Sequence, residues 1–371
     1  MSSPLPPLPA ADALGAGVRE ALTHMPDPAH AECADAFERD LSGVFGTRYA
    51  VAVNSGTAAL HAALFAAGIQ PGDEVLVPAL TVIMTAAPVV QLGATPVFVD
   101  SDPATLDMDY ADAAAKVTDR TRAIVPVHLW GRMGDPATLA AFASRHNLAV
   151  VEDAAQAAGT SRAGIAAGTG GIAGCFSMKD GKILWSGEGG FVVTDDADLA
   201  ARARAFRGHW LTPPPGGRPQ QQLAVNARLA EPLAALAHAN LHRLPALLER
   251  RRAQSAYLLH ALAGARGLIP IRPATDETWN HYSPLLAIGL PRPRAFAEHL
   301  AQRGVPNSTG TFRLVPCDTR PMFAGGARPP CRGAAQILER TLAVVLTDRD
   351  DEAVLDRYAT VITRASSEWS G

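Results

Sequence analysis

The sequence predicts an α/β fold: a large domain built on a mostly parallel central sheet, followed by a small α+β C-terminal domain. Three observations predict it. Strand-like and helix-like runs alternate from Tyr49 to Asp153, the order produced when helices cross between parallel strands. The strand-like runs are apolar at successive positions rather than at every second one, as in strands buried on both faces. After Asp153 the alternation stops, and strands and helices mix again from about Leu268. A chain of 371 residues is long enough for two domains of this kind, each with its own core. The expected division is a tail and arm over 1–30, a large domain over 31–245 and a small domain over 246–371.

The Pro-rich opening, Met1 to Pro9, is expected to be mobile or draped over the surface. Helical periodicity is clearest from Cys33 to Val44, where Phe37, Leu41 and Val44 recur on one face. Strands follow at Tyr49–Val53, Glu74–Val77, Pro96–Asp100, Ala123–His128 and Leu148–Asp153. The runs between them, Thr57–Ala67, Val82–Leu92, Ala111–Val117 and Pro136–Arg145, read as helices. Gly159 to Gly174 is rich in Gly and Ala and carries no helical stripe. Cys175–Met178 and Phe191–Thr194 read as strands on either side of a turn. A helix is expected at Asp198–Phe206 and a loop at Thr212–Gln220, whose prolines and glycines rule out regular structure. Leu229–Leu241 and Ala246–Leu262 read as two long helices.

Composition narrows the function. A formal net charge of −3 gives no basic field for nucleic acid. No uninterrupted apolar run of about 18 residues, the length of a membrane span, occurs, and the N-terminus lacks the charged start and apolar core of a signal peptide. Cys33, Cys175, Cys317 and Cys331 are scattered without metal-ligand spacing, so reduced thiols are expected. The expectation is a cytoplasmic protein with small-molecule ligands and no metal, nucleic-acid or membrane partner.

Three segments carry candidate chemistry. Asn54-Ser55-Gly56-Thr57-Ala58-Ala59-Leu60 follows a strand and opens a helix, where unpaired N–H groups and the helix dipole favour a phosphate. The same residues would serve as an ordinary N-cap. Glu152-Asp153 closes an apolar strand, and ligands in open α/β sheets sit beyond the carboxyl ends of strands. A carboxylate there suits a protonated ring nitrogen, but also a helix cap or a metal. The two side chains point to opposite sides. Third, Ser177 and Lys182 stand five residues apart before Gly187-Glu188-Gly189-Gly190. Ser177 suits a phosphate oxygen, and Lys182 suits carbonyl chemistry if its amine is desolvated or lies beside positive charge. Lys179 is a rival for that role, and either lysine read alone is as easily a solvated surface residue.

Together these segments resemble the DegT/DnrJ/EryC/StrS family of sugar and aminocyclitol aminotransferases, which are fold-type I pyridoxal phosphate enzymes. The likeness runs from about Ala36 to the C-terminus and is strongest from Tyr49 to Val193. Further landmarks are Gly72-Asp73-Glu74-Val75 with Pro78, Pro96-Val97-Phe98-Val99-Asp100, Val127-His128-Leu129-Trp130-Gly131 and Asn226-Ala227-Arg228-Leu229. Each motif is weak alone; their order and spacing are specific.

The resemblance implies that Lys182, not Lys179, bonds to pyridoxal phosphate. It implies that Asp153 meets the cofactor's ring nitrogen and that Gln156 lies near its ring hydroxyl. Gly56, Thr57, Ala58 and Ser177 would hold the phosphate, and Asn226 would reach the phosphate of a neighbouring subunit in a homodimer. The implied activity is transfer of an amino group from glutamate or glutamine to a keto-cyclitol or keto-sugar in secondary-metabolite biosynthesis. The Phe-Ser-Met-x-x-x-Lys form leans toward the cyclitol type. The alternatives are a nucleotide-keto-sugar aminotransferase and a non-catalytic regulatory paralogue. Lys182 argues against a pyridoxamine-dependent dehydratase, whose members replace that lysine. Val82 stands where the family usually stacks an aromatic ring on the cofactor. Arg207, His209, His281 and Arg313 are candidates for polar substrate, Trp185 for the substrate mouth, and His128 for a family position or a structural histidine.

Overall fold

Seven strands form the central sheet of this computed structural model, which describes residues 4–8, 12–24, 32–323 and 330–371. Parts of the expected N-terminal arm (residues 1–3, 9–11 and 25–30) lie outside the described residues. The strands run Tyr49–Val53, Gly190–Thr194, Ala173–Ser177, Ala149–Asp153, Thr121–Ile124, Glu74–Pro78 and Thr95–Val99 across the sheet. Gly190–Thr194 is antiparallel to both of its neighbours; the remaining adjacent pairs are parallel. The mostly parallel sheet follows from the apolar runs. Val51 and Val53 face one core with the helices Gly56–Ala66 and Ala197–Arg207. Ala50 and Ala52, one residue out of phase, face another core with Phe37, Phe176 and Leu241. Both faces are covered, so neither tolerates polar alternation.

A second, three-stranded antiparallel sheet comprises Leu268–Pro270, Leu285–Ile288 and Thr341–Ala343. Its core combines Leu286, Ile288 and Leu342 with Phe296 and Ile362 from the helices Pro293–Gln302 and Glu352–Glu368. The N-terminal residues 4–8 lie against this part: the Leu5 N–H donates to Glu352 Oε1 at 3.0 Å, and the Arg250 guanidinium donates to the Pro6 carbonyl.

Two expectations need correction. The two helices expected between Leu229 and Leu262 are one continuous helix, Glu231–Ala261, with Pro245 inside it. A proline removes one i→i−4 bond and so marks a break on sequence grounds. Here Leu241, Leu244 and Leu247 stay buried in one core across that point, while Leu258 enters the core of the small sheet. Burial on both sides outweighs the one lost bond, and the helix joins the two cores. The strand expected over Ala123–His128 stops at Ile124. Pro126 cannot donate to a ladder, and pairing resumes only as a single bridge from Val127 to Asp153. The Gly/Ala-rich stretch after Asp153 contains a short pairing of Ser161–Arg162 with Ile165–Ala166, extended by Glu277–Thr278. No helix among the described residues is long and apolar enough to cross a membrane.

Candidate active site

The site is assembled where the parallel strands end, on the side from which the helix Gly56–Ala66 starts. Ser55 caps that helix: its Oγ accepts the Ala58 N–H at 3.1 Å. The first-turn N–H groups of a helix have no intrahelical partner; Ala58 spends its own on Ser55, which leaves those of Gly56 and Thr57. A Cβ on Gly56 would fall 2.7 Å from Ser177 Cβ. Glycine is therefore what lets this helix start face the end of the strand Ala173–Ser177. Gly190 does the same on the other side, where a Cβ would lie 2.5 Å from the Ser55 carbonyl.

The two acidic residues of the strand Ala149–Asp153 separate as strand alternation requires. Glu152 is buried and fully engaged, taking the N–H groups of Gly168, Gly170 and Gly171 and the His128 ring at 2.7 Å. Burial works against charging His128, but the Glu152 carboxylate outweighs it and raises the imidazole's pKa. Burial also opposes the charge on Glu152, yet the His128 contact and the peptide donors hold its carboxyl below the ordinary value. The pair is a buried structural brace. Asp153 turns the other way. Its Oδ2 accepts from Thr85 Oγ1 at 2.7 Å, its Oδ1 accepts from the Ala155 N–H at 3.2 Å, and Thr85 in turn meets Thr81 at 2.7 Å. Those bonds fix the carboxylate's orientation at the strand end.

Lys182 and Lys179 differ sharply in place. Lys179 is exposed, and its backbone bridges Gly187. Lys182 lines a pocket with Ala155, Gln156, Ser177 and Tyr282. Its ammonium sits over the Tyr282 ring, 5.1 Å from the centroid, a contact worth about 0.5–2 kcal/mol. Gln156 Oε1 accepts the Trp130 N–H at 2.6 Å. Asn226 is exposed and does not line that pocket; it bridges Gly208, and the carbonyl of the next residue, Ala227, accepts the Asn54 N–H at 2.9 Å.

Thr81, Thr85 and Tyr282 escape sequence reasoning. Thr81 precedes the helix Ile83–Gln91 and Thr85 lies in its first turn, where their hydroxyls meet, a weak signal that becomes readable only once Asp153 is known to face Thr85. Several candidates make contacts within the scaffold. Arg207, half-buried, donates to Glu38 and to the Ala52 carbonyl. His281 bonds Ser255 at 3.0 Å and stacks on Trp279 with centroids 4.2 Å apart. The Trp185 carbonyl accepts Asn240 Nδ2 at 2.7 Å. His209 and Arg313 are exposed, and neither lines the Lys182 pocket. Val82 packs beside a cluster that includes Leu80 and Trp130 rather than lining that pocket.

Residues 25–360 match the model of the DegT/DnrJ/EryC1/StrS aminotransferase family. The chain belongs to this family. This DegT/DnrJ/EryC1/StrS member is 37% identical over 332 residues to UDP-N-acetyl-3-dehydro-alpha-D-glucosamine 3-aminotransferase of Acidithiobacillus ferrooxidans, covering 89% of this chain and 87% of that one. It is 40% identical over 256 residues to L-glutamine:2-deoxy-scyllo-inosose aminotransferase of Micromonospora echinospora, covering 65% and 61% of the two chains. The fold superposes on that of DesV from S. venezuelae with a TM-score of 0.86 at 31% identity, covering 99% of this chain and 100% of that one. Like its family, this aminotransferase depends on pyridoxal phosphate. The residues present fit that group: a helix start opened by Gly56 against Ser177, an oriented carboxylate at Asp153, and a lysine between Gln156 and Tyr282.

The half-buried His281 gives a pH prediction. Burial, with a smaller push from Arg252, lowers its pKa from 6.5 to about 4. A histidine depressed in this way is neutral when folded, while the unfolded chain takes up a proton below about 6.5. Stability should therefore fall as pH drops from 6.5 toward 4. In melting curves at neutral pH and at about pH 5, His281→Gln should lose less stability than the parent; parallel losses would exclude this contribution.

Proposed function

We propose that Lys182 is the residue that bonds to pyridoxal phosphate and that Asp153 pairs with its ring nitrogen. The observation that carries this reading is the convergence of Lys182, Gln156 and Ser177 on one pocket beside the Gly56 helix start. Bound there, pyridoxal phosphate supplies a carbonyl that captures amines and a ring that takes up electrons from the neighbouring carbon. Gly56 and Thr57, through their N–H groups, and Ser177, through its hydroxyl, would hold the phosphate, with Ala58 bordering this cradle. Asp153, oriented by Thr85, would keep a proton on the ring nitrogen, and Gln156 would lie near the ring hydroxyl. Lys182, freed when the amino donor binds, would serve as the base that takes a proton from the donor's carbon and holds it for return.

The proposed donor is glutamate or glutamine, and the acceptor is a keto-cyclitol or keto-sugar of secondary metabolism. Both relatives described above act on polyhydroxylated rings. A nucleotide keto-sugar is the second reading, because the relative with the longer match has such a substrate in its name. Incubation with a panel of keto-cyclitols and nucleotide keto-sugars, with either donor, tests this by mass analysis of the amine formed. Amination of a cyclitol ketone supports the first reading and of a nucleotide keto-sugar the second; turnover of neither class sinks both.

The active unit is proposed as a homodimer in which Asn226 reaches the neighbouring subunit's phosphate. Asn226 is exposed in the single chain, and Leu223 beside it is 95% exposed, as expected of a segment covered on assembly. Full activity in a species that sediments as a monomer would refute this.

Tyr282 is expected to hold the Lys182 ammonium in the pocket. Tyr282→Leu should lower kcat by about threefold to tenfold, the equivalent of a cation–π contact. Tyr282→Phe keeps the ring face and should stay near the parent. Equal losses in the two variants would assign the effect to the hydroxyl instead.

A further inference from the structure

Away from the lysine pocket, the helices Glu32–Phe45 and Glu231–Ala261 bring three ligand-type side chains together. His238 and His242 are four residues apart on one helix, so their imidazoles project from the same face; the rings lie 4.8 Å apart. Asp40, on the other helix, points its Oδ2 between them, 2.6 Å from His238 Nε2 and 3.6 Å from His242 Nε2. The three donor atoms lie within 4.8 Å of one another. The site is graded in access: the His238 side chain is 25% exposed and contacts Phe37, whereas that of His242 is 65% exposed.

We propose that Asp40, His238 and His242 form a divalent transition-metal site of the zinc class that ties these two helices together. A paired histidine spacing of i and i+4 on one helix face is a chelate, since one backbone presents both nitrogens to one point. Two imidazoles and a carboxylate suit Zn²⁺ better than the hard cations, which prefer all-oxygen shells. With metal bonds of about 2.0–2.1 Å, donor atoms in a tetrahedral shell lie roughly 3.4 Å apart. The His238–Asp40 contact must open and the His242–Asp40 contact must close by well under the length of a bond. The two histidine nitrogens, within 4.8 Å of one another, must also draw in; side-chain rotation at these partly exposed positions would supply these adjustments. His238 then turns its Nε2 lone pair to the ion, with the ring proton on Nδ1. Three protein ligands leave the fourth position to water, on the open His242 side. On the opposite, buried side of the same helical turn, Asn240 donates to the Trp185 carbonyl.

The test uses the full-length protein without any affinity tag, stripped with a chelator and titrated with Zn²⁺ by calorimetry and with Co²⁺ by visible absorption. One Zn²⁺ per chain at micromolar affinity, the intense absorption bands of four-coordinate Co²⁺ and a Zn²⁺-dependent rise in Tm are expected. Changes outside the ligand shell alone cost about 10–100-fold in metal affinity, so His242→Ala should weaken binding by at least that. Its exposed side chain makes misfolding an unconvincing explanation. Asp40→Asn, which preserves shape, should weaken binding as well. The proposal is overturned if the parent takes up no Zn²⁺ at micromolar concentrations, or if His242→Ala and Asp40→Asn both bind it as tightly as the parent.

Discussion

Lys182→Ala should reduce transamination by about 10⁴-fold or more, the upper end of what a positioned proton-transfer group contributes. The size follows from the two tasks this residue has in the proposed mechanism: it bonds to the cofactor and it moves the proton. No neighbour can inherit either task. The nearest lysine in the chain, Lys179, is exposed, with its backbone bridged to Gly187 on the far side of the turn. The pocket's other polar side chains, Gln156, Ser177 and Tyr282, are not amine bases. The variant should fold, because Lys182 is only half-buried and no hydrogen bond of its side chain supports the scaffold among the described residues. Lys179→Ala is the paired control and should leave the rate near that of the parent. Steady-state rates with a competent donor and acceptor check both; comparable losses in the two variants would remove Lys182 from its role.

Asp153→Asn should cost about 10²–10³-fold in kcat, the scale of removing one preorganised electrostatic contact from a reaction centre. Asparagine is the informative replacement because it keeps the shape: its Oδ1 can still accept the Ala155 N–H, and its Nδ2 can donate to Thr85 Oγ1, whose own proton can turn to Thr81. What it removes is the negative charge that holds a proton on a ring nitrogen. Tm and pyridoxal phosphate uptake should change little while kcat falls. Asp153→Ala would be less clear, since it also removes an acceptor from the buried Thr85 hydroxyl and from the Ala155 N–H. An Asp153→Asn protein with the parent's kcat would show that the carboxylate has no part in the chemistry.

Much of the sheet was legible because its strands are short, apolar and bounded by turn residues. Tyr49–Val53 came out to the residue, and the phase of Val51 and Val53 against Ala50 and Ala52 follows from alternation alone. Elements whose fate depends on distant partners were not legible. Pro245 looks like a break until the cores on both sides of it are known. Within the site, the helix start at Gly56 and the acidic strand end at Asp153 were visible as local motifs. The choice between Lys182 and Lys179 was not, because both occupy the same turn; the family resemblance favours Lys182, and the structure gives the two different surroundings, Lys182 in the pocket and Lys179 exposed. Thr85 reaches Asp153 across 68 residues, and Tyr282 comes from beyond the long helix, so neither leaves a local mark. Arg207 and His281 were candidates for polar substrate, and their distant partners left no local mark either: Arg207 donates to Glu38, and His281 bonds Ser255 and stacks on Trp279.

The central claim is that Lys182 carries the cofactor, and one measurement addresses it without knowledge of the acceptor. The protein is saturated with pyridoxal phosphate, reduced with borohydride, digested and mapped by mass spectrometry. The predicted result is a single pyridoxyl group on the peptide that contains Lys182, absent from the Lys182→Ala protein. A label on Lys179, or no label on a protein that still transaminates, would contradict it.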